Sequence, residues 1–110
     1  MPVLLLALLA QAAVAPPSPA TLASYFRNAD YPRKALKRRE QGMVVFRIEI
    51  STLGRVSRCS VTRSSGSSAL DETTCRLATE RLRFRPATDG AGRPVSDSID
   101  DLELIWRLPG

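Results

Sequence analysis

Cys59 and Cys75 are the only cysteines in the chain, and the stretch they bound constrains the fold more than any other. That stretch, CSVTRSSGSSALDETTC, reads as the end of a strand, a serine–glycine turn and the start of a helix. A bond between the sulfurs would tie that strand to that helix, whereas two buried thiols would leave them independent. The spacing is too long for a Cys-x-x-Cys redox motif. With no histidine anywhere, two cysteines cannot close a tetrahedral zinc site without further ligands. The choice between bond and thiols then turns on the compartment, because small domains in oxidising compartments pair their cysteines.

The start of the chain speaks to the compartment. From Val3 to Ala15 it is apolar, broken only by Gln11. A run of about a dozen residues is short for a membrane helix, which needs roughly 20. It ends in Ala13-Val14-Ala15, the small-residue pattern of a signal-peptidase site. Pro16-Pro17-Ser18-Pro19 follows, which cannot continue a helix. Residues 1–15 thus read as a cleaved export signal or a short anchor, residues 16–30 as a Pro/Ser/Ala linker, and residues 31–110 as one domain. The expected location is the periplasm, or the inner membrane if the apolar run stays attached. In the periplasm a Cys59–Cys75 bond would contribute about 3 kcal/mol through loop-closure entropy.

Composition argues against catalysis. Without histidine the commonest general base and the commonest metal ligand are both missing. Ser64, Ser65, Ser67 and Ser68 have no base to activate them and read as turn and cap residues. No enzyme activity, cofactor or metal is expected. Net charge is +5, from 16 basic and 11 acidic residues. Five of the seven residues from Arg33 to Arg39 are basic. Such a run suits nucleic acid, anionic lipid or plain solvent. No aromatic residue interleaves it, so no nucleic-acid partner is expected.

Periodicity gives the elements. Pro32 suits the first position of a short helix and Gly42 its C-terminal cap. Residues 43–50, MVVFRIEI, alternate as a strand, with Val44, Phe46, Ile48 and Ile50 on one face. Gly54 supplies the positive φ of a turn, and residues 56–63 return as a second strand with Cys59 and Val61 facing inward. Ser68 and Asp71 resemble a capping box opening a helix that runs to about Leu82. Leu70, Thr74, Leu77, Ala78 and Leu82 form its apolar stripe, with Cys75 at the edge. Glu72–Arg76 and Arg76–Glu80 are spaced as ion pairs on its outer face. The last strand is expected over Asp101, Leu102, Glu103, Leu104, Ile105, Trp106, Arg107 and Leu108, with Trp106 in the core. Asp100, Asp101 and Glu103 read as charges guarding an exposed strand edge. The fold class is α+β: a short N-terminal helix, a β-hairpin, a main helix and a C-terminal strand. Three antiparallel strands are covered by one helix. In that arrangement Cys59 lies on the covered sheet face and Cys75 on the second turn of the covering helix, which favours the bond.

The order and spacing of these elements carry a resemblance. Tyr31-Pro32, Gly42, Gly54-Arg55-Val56, the helix at 68–82 and Phe84-Arg85-Pro86 together resemble the C-terminal domain of TonB-family proteins over residues 31–108. The resemblance implies a periplasmic domain in energy-coupled transport. It implies that an extended peptide of an outer-membrane receptor adds as a strand beside residues 101–108. It also implies coupling to an ExbB–ExbD-type inner-membrane complex. A homodimer stays open. A second reading is a stand-alone envelope module that binds peptidoglycan or another protein, because residues 16–30 span at most roughly 50 Å when extended.

Overall fold

The computed structural model describes residues 11–110. The apolar run read as an export signal or anchor lies outside the described residues as far as position 10. Three antiparallel strands form the main sheet: β1, Gly42–Ile50; β2, Val56–Arg63; and β5, Asp97–Trp106, in the order β2-β1-β5. Two short strands, β3 (Ala87–Thr88) and β4 (Pro94–Val95), pair in a separate ribbon. Helix α3, Ser68–Arg81, covers one face of the main sheet. Helices α1, Pro19–Ala23, and α2, Arg33–Lys37, precede the sheet. The expected α+β plan of one helix on a three-stranded antiparallel sheet is the plan observed.

Alternation decides what is buried. Val44, Phe46, Ile48 and Ile50 of β1 all lie under the helix, as do Leu102, Leu104 and Trp106 of β5. Leu70, Thr74, Leu77, Ala78 and Leu82 meet them from α3. The stripe read from the sequence is therefore the packing face. Trp106 lies at one end of this face, paired with Gly42, and its indole N–H donates to Thr74 Oγ1 at 2.9 Å, so the polar atom of its side chain is satisfied. Gly54 has φ +78°, and a Cβ there would meet the Phe84 carbonyl oxygen at 2.0 Å. The turn after β1 thus needs glycine both for its backbone and for the close approach of residue 84.

Cys59 and Cys75 are bonded and no cysteine is free. The bond ties β2 to the second turn of α3, as the sequence suggested.

Several boundaries differ from expectation. Gly42 does not cap α2; it is the first residue of β1 and pairs with Trp106. The residue that reverses the chain is Arg39, at φ +54°. Ser67, not Ser68, caps α3, accepting from the Leu70 N–H at 3.2 Å. Asp71 instead turns back to the loop, accepting from Ser65 N–H at 3.0 Å and from the hydroxyls of Ser64 and Ser65. Burial raises the Asp71 pKa, but these bonds outweigh it and hold the carboxyl below its usual range. Arg76 pairs with Glu80 at 3.7 Å, while Glu72 forms no ion pair among the described residues. The last strand begins four residues earlier than expected and ends at Trp106, so Arg107 and Leu108 lie beyond it.

Residues 16–30, expected as a linker, carry α1 and a 3-10 turn at Asn28–Asp30. Leu22 is only 1% exposed. Phe26 and Tyr31 pack edge-on against Trp106, with ring centroids 5.9 and 5.4 Å away. Aromatic residues at and beside this segment pack on the Trp106 indole of the core, and burial holds the segment down. Ala12 exchanges two backbone hydrogen bonds with Thr88, and Val14 joins the core.

Candidate functional site: the outer edge of the last strand

Among the described residues strand β5 has one neighbour, β1, and so keeps one open side. Parity settles which groups face it. In an antiparallel ladder, successive residues point their N–H and C=O to opposite sides. The hydroxyls of Thr62 and Ser57, on β2, donate to the carbonyls of Val45 and Glu49, so the odd residues of β1 face β2. The even residues Val44 and Phe46 then face β5, opposite Leu104 and Leu102. Gln41 Oε1 accepts from the Leu108 N–H, extending the same parity. The N–H and C=O of Glu103 and Ile105 therefore point outward. Among the described residues no backbone group pairs with them.

The open edge has a sharp beginning. Phe46 pairs with Leu102 but Ile48 pairs with Ile99, so Arg47 faces both Asp100 and Asp101. This is a β-bulge, with Asp101 at φ +55°. Arg47 Nε reaches Asp100 Oδ1 at 2.8 Å across the ladder. Asp100 thus has a structural partner in addition to its place near the edge. Beyond the bulge, residues 102–106 run without interruption.

One wall of the edge comes from the segment before α2. A shallow groove of about 180 Å³ lies between Phe26, Arg27 and Asn28 on one side and Ile105, Trp106 and Arg107 on the other. Ile105 is 55% exposed, a large apolar side chain on the sheet face opposite α3, since its neighbours Leu104 and Trp106 are buried beneath the helix. A clamp holds the wall in place. Arg81 of α3 grips Asp30 with two bonds of 2.6 and 2.7 Å and also donates to the Tyr25 carbonyl at 2.8 Å. The Arg81 hydrogen bonds hold the Asp30 carboxyl down at about 2. Tyr31 donates its hydroxyl to the Glu40 carbonyl. Burial, then the charge of Glu40, pushes its phenol up, so it remains a neutral donor.

Charge changes sign along the strand. Asp97, Asp100, Asp101 and Glu103 occupy its first part, and Arg107 follows its end with Arg27 opposite. Asp97 accepts from the Val14 N–H at 2.9 Å and from the Ser98 N–H at 2.8 Å, and these bonds hold its carboxyl low. Among the described residues no group of acidic or sulfur side chains is arranged to hold a metal.

Of the residues expected at the edge, Leu102, Leu104 and Trp106 are buried, while Asp101, Glu103, Ile105 and Arg107 are exposed. The exposed members offer side chains, and the strand as a whole offers backbone. Sequence reading missed the wall of Phe26, Arg27 and Asn28 and the Asp30–Arg81 clamp. The available signal was the aromatic spacing in Tyr25-Phe26 and Tyr31, in a segment otherwise rich in small residues.

No curated protein matches the chain. The family model described as Gram-negative bacterial TonB protein C-terminal matches residues 27–108, from the wall of the groove to just past the end of β5. The chain therefore belongs to the TonB C-terminal family.

Proposed function

We propose that the domain takes up an extended peptide of an outer-membrane receptor as a fourth strand on the outer edge of β5, in energy-coupled transport from the periplasm. One observation carries this reading: an unpaired strand edge that stays regular over residues 102–106. Main-chain hydrogen bonds from Glu103 and Ile105 supply affinity. The groove beside Phe26 supplies side-chain contact along the free edge, and Ile105 supplies it on the sheet face away from α3. The family is one of binding and transport domains rather than catalysts. Coupling to an ExbB–ExbD-type complex would run through the apolar run before Ala15. No helix among the described residues is long and apolar enough to cross a membrane.

The test titrates a receptor-derived TonB-box peptide into the isotopically labelled protein and follows backbone amide shifts. The expected shifts fall on residues 102–107 and on Phe26 to Asn28. Replacing Ile105 by proline removes an outward N–H and should abolish binding, while circular dichroism confirms that the sheet survives. Should proline there unfold the sheet, the wild-type shift map alone decides. Shifts confined to residues away from β5 would overturn the reading in favour of an envelope module that binds peptidoglycan or another protein.

A further inference from the structure

The net charge of +5 is not spread over the chain. Arg33, Lys34, Lys37, Arg38 and Arg39 contribute five positive charges within seven residues. The other eleven basic residues are matched by the eleven acidic ones. The whole excess therefore sits on α2 and the turn that follows it. All five side chains are exposed, and none forms an ion pair among the described residues. Of the other eleven, Arg47, Arg58, Arg76, Arg81 and Arg93 have a carboxylate partner, and no two of the remaining six are adjacent in sequence, so only this run gathers unpaired cations side by side in the chain. The one acid beside the run, Glu40, is engaged by the Ser67 hydroxyl at 2.8 Å.

Two features narrow what such a surface fits. Arg33, Lys34, Lys37 and Arg38 border one shallow hollow of about 290 Å³, so four cations lie side by side on one face. Leu36 stands among them, 39% exposed, while Ala35 behind it anchors the turn with no exposure. An apolar side chain amid uncompensated cations suits an interface that is anionic at its surface and apolar beneath. A nucleic acid would leave Leu36 unused, and the run has no aromatic side chain on which a base could stack.

We propose that this face docks the domain on an anionic lipid bilayer, with the cations on the headgroups and Leu36 dipping between them. This contact is separate from the edge of β5 and does not depend on the peptide reading.

The full chain is tested by co-sedimentation with vesicles of phosphatidylglycerol and, separately, of phosphatidylcholine. The apolar run before Ala15 contributes to both, so the difference between lipids isolates the charge. Each cation near an anionic surface is worth about fivefold in partitioning. The triple variant R33Q/K34Q/K37Q should therefore lose on the order of 100-fold on phosphatidylglycerol and little on phosphatidylcholine. Added salt should erode the same preference, since screening shortens the reach of exposed charges. Leu36→Ala should weaken binding to phosphatidylglycerol vesicles further while leaving binding to duplex DNA unchanged. Equal partitioning of the wild type on both lipids would overturn the proposal. So would a triple variant that keeps the preference, or displacement from the vesicles by duplex DNA with no effect of Leu36→Ala.

Discussion

The two edges of the sheet are opposites in how they are held and in how regular they are. Strand β2 carries two extra residues, Ser57 and Thr62, each opposite a break in register. Their hydroxyls bond to β1 carbonyls at those breaks, so the ladder is patched by side chains. Its outward residues are mostly serine, threonine and arginine, and a disulfide fixes it to α3. Strand β5 has a single bulge near its start and no covalent tie. Four large buried side chains, Ile99, Leu102, Leu104 and Trp106, hold it instead. Irregular, polar edges resist pairing, and regular ones with apolar side chains invite it. One sheet thus shows an irregular, polar edge and a regular one, and the regular one has a walled groove beside it.

The largest effect should come from removing what holds the open edge. Trp106→Ala takes away the partner of Phe26, Tyr31 and Thr74 and should cost about 3–5 kcal/mol in urea denaturation. A loss below about 1 kcal/mol would mean that burial is not what fixes β5. Next comes the tie on the irregular edge. Cys75→Ser should cost about 2–4 kcal/mol. Reducing the wild type should give a similar loss, and denatured native protein should show no titratable thiol. If the variant were as stable as the wild type, β2 would be held by packing after all, and the contrast between the edges would shrink.

A smaller effect tests the boundary of the open edge. Asp101 sits at φ +55°, a region that a β-branched residue enters at a cost of about 1–2 kcal/mol. Asp101→Ile should destabilise by that amount, whereas Asp101→Gly should be neutral or slightly stabilising. Equal stabilities for the two would show that the bulge is not maintained in solution. The smallest effect concerns acid. The folded-state pKa of Asp30 is lowered from 3.8 to about 2, so its contribution is present above the higher value and fades as pH falls through the lower. The melting temperature should drop between about pH 4 and pH 2, and less steeply for Asp30→Asn. Asp71, Asp89 and Asp97 are shifted the same way, so the variant should keep part of the slope.

Strong alternation made the sheet legible. Val44 to Ile50 and Leu102 to Trp106 have a period that only a strand buried on one face satisfies. The apolar stripe of α3 was equally plain, and together they placed Cys59 and Cys75 within bonding reach. What escaped was set by tertiary partners. Leu22 and Phe26 lie among prolines, serines and alanines, a composition that local rules assign to a linker. Phe26 packs on Trp106, 80 positions away in the chain, and Leu22 is buried in the same core. The bulge at Asp101 escaped because nothing in Ile99-Asp100-Asp101-Leu102 marks an extra residue except two adjacent acids. The open edge was expected from the strand's position in the chain, yet its start and its wall come from Arg47, Asp30 and Arg81, which no local pattern joins.

The order β2-β1-β5 also sets a timetable for synthesis. Gln41, at the head of β1, meets Leu108 across 67 positions of chain. At roughly 5–20 residues per second, β5 leaves the ribosome seconds after β1. Through that interval one side of β1 lacks its neighbour, and the β1–β2 hairpin alone is marginal in water. Trp106 has not yet arrived for Phe26 and Tyr31 to pack on. The nascent chain therefore stays loose until its central strand is flanked on both sides, and any machinery that must thread it unfolded has those seconds to engage it.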